Sequence, residues 1–173
     1  MIEKKRKMFL IIGLVSLFFV ISGCEELQEN NISVEDFQIN HSMKDLIIKT
    51  DKTVYSQNEY VYFVIYNGFN KDLVLGGVTG CGGDVYIISQ FNGVEWDDFF
   101  LSYGNCEMEI IKNIKSKEKL LSIWDQKIYP NMYTRKKTIA GKGIYKIKVD
   151  YIYMNYKGNP ALVRVESNEF RII

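Results

Sequence analysis

The sequence has two prolines, three cysteines, one histidine and almost no net charge, and each scarcity closes off a class of protein. With so little proline, and 47% hydrophobic against 25% charged residues, the chain is no disordered linker and can bury a core. The single histidine, His41, leaves little to build a Ser-His-Asp or Cys-His site from, and there is no Gly-x-Ser-x-Gly elbow. Three cysteines without a Cys-x-x-Cys pair or a Cys/His cluster do not supply the four ligands of a structural zinc site. A formal charge of +1 lacks the basic surplus of a nucleic-acid binder. At 173 residues the chain has room for one ordinary domain, which excludes a large multidomain enzyme. What it has in quantity is aromatic: 12 Tyr, 10 Phe and 2 Trp.

The most specific signal lies at the start. Lys4, Lys5, Arg6 and Lys7 precede fourteen uncharged residues, Met8 to Ile21, and then Ser22-Gly23-Cys24. A positive head, a short apolar stretch and small residues at the cut are the layout of a secretory signal. As a helix, fourteen residues would reach about 21 Å, short of the roughly 30 Å hydrocarbon core, so a permanent span is disfavoured. Without residues 1–23 the chain keeps 18 basic and 20 acidic side chains, a net of about −2, further still from nucleic acid.

Ile21-Ser22-Gly23-Cys24 resembles the lipobox of prokaryotic lipoproteins, an aliphatic residue and two small ones before an obligatory cysteine. The resemblance implies a diacylglyceryl group on the Cys24 sulfur, cleavage before Cys24, and a domain held at the cell membrane on its extracytoplasmic side. Several acyl chains, at about 0.8 kcal/mol per buried methylene, attach a protein stably where one chain does not. With Cys24 so used, Cys81 and Cys106 remain. An even pair in an exported domain is most simply a disulfide, with two reduced thiols as the alternative. Residues 24–43 read as the acylated cysteine and its tether. Glu25 to Asn31 is polar and acidic, and Val34 to Ile39 is either a first short strand or a segment lying against the domain. The sequons at Asn31 and Asn40 are short matches of the kind that chance supplies.

From residue 44 to residue 173 the pattern has the period of strands. In Glu59 to Tyr66, Val61, Phe63 and Ile65 share one face, and Tyr60, Tyr62, Val64 and Tyr66 the other, a partly exposed tyrosine ladder. Lys52 to Asn58 reads as a polar turn, and Asn67-Gly68 as a strand breaker. Asn92-Gly93 between Val85–Phe91 and Val94–Trp96 signals a hairpin with a two-residue turn. Further strands are expected near residues 46–48, 73–75, 107–111, 119–124, 133–139, 144–154 and 162–173. No segment carries a sustained 3.6-residue apolar repeat with caps. About seven to nine short strands with Asn and Gly punctuation predict an all-β, Ig-like antiparallel sandwich. Tyr145, just after a glycine turn and alternating with Lys146, Lys148 and Asp150, suits either a tyrosine corner or an ordinary packed tyrosine.

Three short stretches, Lys52-Thr-Val-Tyr55-Ser-Gln57, Ile123-Trp124-Asp125-Gln126 and Gly141-Lys-Gly-Ile-Tyr145-Lys-Ile147, resemble the BsuPI-like family, named after an intracellular proteinase inhibitor of bacilli. The likeness covers roughly residues 44–155 and implies an Ig-like fold in which Trp124 and Tyr145 are structural. The chain departs from that pattern where Ala140 replaces the usual proline and where a glycine-rich cysteine loop is added. Inhibitor activity is not implied, because sandwiches host unrelated functions and no reactive loop maps onto this chain.

Other motifs read as structure. The Gly76–Gly83 loop lacks the Gly-Lys-Ser/Thr ending of a phosphate loop, and Glu95, Asp97 and Asp98 match no calcium-loop spacing. Glu107 and Glu109 alternate on an outward strand face. Lys112, Lys115, Lys117 and Lys119 surround Ile114 as a basic run, a solvated loop by default although an anionic lipid or polymer would suit it. The expectation is a lipid-anchored, non-catalytic module without metal or cofactor that contacts a protein or glycan, with a surface proteinase inhibitor as the first rival and a small hydrolase as the second.

Overall fold

A computed structural model describes residues 32–40, 42–77, 85–99, 110–129, 136–154 and 160–173. The chain divides into two units, Met1–Asn31 and Ile32–Ile173, and all described structure belongs to the second. That unit is all-β. After a 3-10 turn at Val34–Asp36, the described residues form β1 (Leu46–Thr50), β2 (Val54–Tyr55), β3 (Val61–Asn67), β4 (Leu73–Gly77), β5 (Ile87–Phe91), β6 (Trp96–Phe99) and β7 (Ile110–Ile114). They continue with β8 (Lys119–Trp124), β9 (Lys127–Ile128), β10 (Thr138–Ile139), β11 (Gly143–Met154), β12 (Pro160–Glu166) and β13 (Phe170–Ile172).

The thirteen strands exceed the seven to nine expected because long expected strands break and short ones intervene. The run expected at residues 162–173 is split at Ser167 to Glu169 into β12 and β13. The polar turn expected at Lys52 to Asn58 contains β2, which pairs with β13 in parallel through Val54↔Arg171 and Tyr55↔Ile172. The hairpin of β5 and β6 closes at Phe91↔Trp96 over four loop residues rather than two. Asn92 Oδ1 accepts from the backbone of Val94 and Glu95, both at 2.9 Å, and Gly93 takes a φ of +101°.

Two sheets enclose the core. The smaller has the order β1-β3-β8, all antiparallel. The larger is built on the twelve residues of β11. Along one edge β11 pairs with β13 and then β12; along the other it pairs with β5 and then β4, which carry β6 and β7 outside them. Strand alternation aims Phe63 and Ile65 from the small sheet, and Tyr145, Ile147 and Val149 from the large one, into a single apolar cluster, all 0% exposed.

The tyrosine ladder expected on the outer face of β3 is largely covered: Val64 and Tyr66 are 0% exposed, and only Tyr60 stands out at 55%. The cover is the segment at residues 33–38. Ser33 caps its turn with a reciprocal box, its hydroxyl accepting from Glu35 N at 3.1 Å and its own N–H donating to Asp36 Oδ2 at 2.6 Å. The turn touches β8, and Lys49 of β1 donates to the Gln38 carbonyl at 2.7 Å. The segment therefore crosses from one edge strand of the small sheet to the other, over β3, and Phe37 is 3% exposed. The compact unit that holds the sheets spans Ile32–Ile173 and so includes this segment.

Candidate functional site

Three places on the domain concentrate polar or aromatic chemistry. The first is internal. Tyr145 is fully buried, its hydroxyl donates to the Gly141 carbonyl at 2.5 Å, and its ring stacks on Phe170 with centroids 5.9 Å apart. A phenol bonded back to the backbone four residues upstream is the local geometry of a tyrosine corner. Trp124 lies against the same two rings, 5.7 Å from Tyr145 and 6.3 Å from Phe170. Burial pushes the Tyr145 phenol up from its usual 10 to about 12. We expect Tyr145→Phe to lose a hydrogen bond while keeping the ring, at about 0.5–1.5 kcal/mol in chemical denaturation near neutral pH. The sign of the alkaline effect follows from the raised value. Stability from a neutral buried phenol is complete below the unfolded pKa and is lost as pH rises from 10 through about 12, so the deficit of Tyr145→Phe should shrink across that window. Parallel pH profiles for the two proteins would refute this.

The second place is the outer face of the large sheet. Register sets Lys148 opposite Glu166, Asp150 opposite Arg164, and Ser89 opposite Asp98. Arg164 grips Asp150 with two parallel bonds, Nε to Oδ1 at 2.7 Å and Nη2 to Oδ2 at 2.8 Å. Lys148 Nζ reaches Asp98 Oδ1 at 2.8 Å, and Arg164 Nη1 lies 3.5 Å from Asp98 Oδ2. Lys146 bonds Glu166 at 3.2 Å and sits 4.4 Å from the centre of the Trp96 ring. The Asp150 side chain is wholly buried and that of Lys148 is 8% exposed. Partial burial works to raise the Asp98 carboxyl, but bonds from Lys148 and Ser89 with the nearby Arg164 charge outweigh it and hold the group below its ordinary range. A carboxylate held down beside two cations is a poor proton acceptor, so the lattice acts as a staple across β6, β11 and β12 rather than as acid–base machinery.

The third place is the end of the sandwich where residues 42–45, 67–72 and 115–118 meet. Asn67 is fully buried and fastens it. Its Nδ2 donates to the carbonyls of Lys71 at 2.8 Å, Lys115 at 3.0 Å and Ile114 at 3.2 Å, and its Oδ1 accepts from Phe69 N at 3.0 Å. Gly68 is required by contact: a Cβ there would lie 2.5 Å from the carbonyl oxygens of Met43 and Asp45. Ser116 completes the knot by donating to Asp72 Oδ1 and the Phe69 carbonyl.

Cys24, Cys81, Cys106 and His41 lie outside the described residues, as do Glu107 and Glu109. Glu95, Asp97 and Asp98 do not converge: Asp97 accepts from Asn92 Nδ2 at 3.0 Å while Asp98 enters the lattice. Among the described residues, no three His, Cys, Asp or Glu side chains are grouped to hold a metal ion. Ile114 is buried, whereas Lys112 and Lys115 of the basic run are exposed and Lys117 turns its ammonium onto the Gly68 carbonyl. Sequence reasoning missed the lattice, since Asp98, Lys148 and Arg164 sit on three strands and only register joins them. The available signal was the alternation of Lys146, Lys148 and Asp150 along β11. The chain matches no protein-family model, and no curated protein matches it.

Proposed function

We propose that the protein is an extracytoplasmic lipoprotein, tied to the cell membrane through Cys24, whose Ig-like sandwich is a binding module without catalysis of its own. The observation that carries this reading is the lipobox at Ile21–Cys24 after a basic head and a short apolar stretch, followed within eight residues by a folded unit that opens at Ile32. Supporting it, the acids and bases of the large-sheet face are spent on one another. The partner is a protein or a glycan at the cell surface. A surface proteinase inhibitor is the second reading, favoured by the BsuPI-like stretches around Tyr55, Trp124 and Tyr145.

Cys24→Ser is expected to abolish incorporation of labelled fatty acid and to leave the precursor uncut at Gly23-Cys24. Unchanged labelling would refute the anchor. Titration of the purified protein against a panel of serine proteases separates the two readings of the domain: stoichiometric loss of protease activity favours the inhibitor, and undiminished activity favours the module.

A further inference from the structure

The backbone groups along the outer edge of a sheet need partners as much as those inside it, and the edges of this domain differ in how they find them. In the small sheet Asp51 N donates to the Tyr62 carbonyl at 3.0 Å, an alternation that turns the backbone groups of Leu46, Ile48 and Thr50 away from β3. Asp45 Oδ1 accepts from Leu46 N at 2.8 Å and Asn168 Oδ1 from Thr50 N at 3.2 Å, so β1 is plugged at both ends. On β8 the outward carbonyl of Ile123 accepts from the Tyr86 phenol at 3.0 Å, and the turn at Val34–Asp36 lies against the strand. In the large sheet β2 covers the edge of β13, and its cover stops there. Ser167 N donates to the Ile147 carbonyl at 2.8 Å, so Val163 and Val165 aim their backbone groups at β11 while Leu162, Arg164 and Glu166 aim theirs outward. None of these three backbones finds a partner among the described residues. The side chains agree: Val149 of β11 is closed to solvent, whereas Ala161, Val163 and Val165, which point the same way from β12, stay partly exposed.

The strand that fits this edge is β12 itself. Because the outward groups belong to even-numbered residues, two copies pair antiparallel only with even against even. The register that overlaps β12 along its whole length places Val163 on a two-fold axis. Ala161 then faces Val165 of the second copy, which closes the half-covered apolar row over the edge of the core. Leu162, 53% exposed, lies along the aliphatic stem of Arg164 of the second copy, whose guanidinium stays on Asp150. Pro160, opposite Glu166, gives a carbonyl and lacks only an N–H. Sliding by two residues one way opposes Arg164 to Arg164, and sliding the other way leaves the Glu166 end with no strand opposite. A further slide would set Arg164 against Glu166 but runs the ladder onto Asn168, whose side chain already holds the Thr50 backbone.

We propose that the outer edge of β12 is an interface for a second copy of this chain, the two strands pairing antiparallel about Val163 and joining their large sheets into one. Such an interface uses the same patch on both copies, so it closes at two. A single strand pair is a small contact, and the dimer it makes is concentration-dependent. The proposal stands apart from the lipoprotein reading, although copies held on one membrane meet at a higher effective concentration.

Sedimentation velocity of the full-length protein in detergent, over a wide concentration range, provides the test and should show a monomer–dimer equilibrium. Leu162→Lys sets a cation opposite Arg164 of the second copy and should weaken association several-fold, whereas Leu162→Glu sets an anion there and should retain or strengthen it. Leu162 is exposed, so both variants should unfold at the wild-type midpoint, and opposite effects on association distinguish pairing at this edge from damage to the fold. Val163→Cys stands across the axis at a position where Cα atoms are about 4.5 Å apart. Mild oxidation should link that variant into a dimer whose peptide map joins position 163 to itself, and should not so link Val165→Cys. Protein that stays monomeric throughout the range overturns the proposal. A dimer indifferent to both Leu162 substitutions lies on another surface and overturns it too, and linkage through position 165 instead of 163 overturns the register.

Discussion

Trp124→Ala should destabilise the domain by about 3–5 kcal/mol, a large share of the roughly 5–15 kcal/mol that holds a domain of this size together. The indole is 2% exposed and ends the edge strand β8, where it plugs the space between the sheets beside Tyr145 and Phe170. Those two rings stack on each other and Tyr55 meets Phe170 edge-on at 5.5 Å, so the cavity left by alanine would be lined by rigid rings that collapse poorly. Trp124 Nε1 also donates to the Lys127 carbonyl at 3.2 Å, which holds the chain as it turns from β8 into β9. Trp124→Phe retains an aromatic ring but drops that bond and some volume, and it should fall between the wild type and Trp124→Ala. Urea unfolding followed by far-UV circular dichroism checks both. A loss under 1 kcal/mol for the alanine variant would mean that Trp124 is not a central filler, and the packing account of this end would fail.

How far such packing was readable in advance depends on whether it is local. β3 and β11 announce themselves, because Val61, Phe63 and Ile65 and then Tyr145, Ile147 and Val149 repeat at the strand period, and the opposite sheet asks nothing more of them than to be apolar. The Gly141–Tyr145 bond spans four residues, so its parts are adjacent in sequence. Pairings set by register are different. The grip of Arg164 on Asp150 requires knowing that β12 returns along β11 in one particular alignment, and a slip of one residue would turn Arg164 to the other face. The parallel seam of β2 with β13 joins residues more than a hundred positions apart, and Val54-Tyr55 has too few residues to show a period. The covering segment at residues 33–38 was half visible: lying against the domain was one of the two readings of Val34 to Ile39, but Phe37 is its one buried anchor, and a single aromatic in a polar stretch does not say which strands it covers. The end fastened by Asn67 was half visible. Lys115 and Lys117 form a run in sequence, but Lys71 joins them because Asn67, which read as a strand breaker, is buried and binds the carbonyls of Lys71, Ile114 and Lys115, and Met43 and Asp45 join them through their carbonyls at Gly68.

The disulfide is the prediction in which register and sequence meet. Gly77, the last residue of β4, and Ile110, the first of β7, are cross-strand partners. Their Cα atoms are therefore about 4.5–5.5 Å apart, as in any antiparallel pair. Cys81 stands four residues after Gly77, and Cys106 stands four residues before Ile110. Two arms of equal length thus leave one paired position, which allows their ends to meet at the roughly 4.4–6.8 Å between Cα atoms that a disulfide needs. Glycines at positions 80, 82 and 83, around Cys81, and at position 104 ease the backbone adjustment. We expect the exported protein to carry this bond, formed by exchange with an oxidised thiol–disulfide partner that accepts the two electrons. On the chain-entropy account, closing the 26 residues from Cys81 to Cys106 is worth about 3.5 kcal/mol, or roughly 10 °C in melting temperature. The unreduced protein should yield a linked peptide pair two hydrogens lighter than the separate thiol peptides, and Cys81→Ser/Cys106→Ser should melt lower by about that interval. If both cysteines of protein exported into an oxidising compartment react freely with an alkylating reagent, the bond is absent. The shared origin of the two arms at Gly77 and Ile110 would then be a matter of sheet geometry alone.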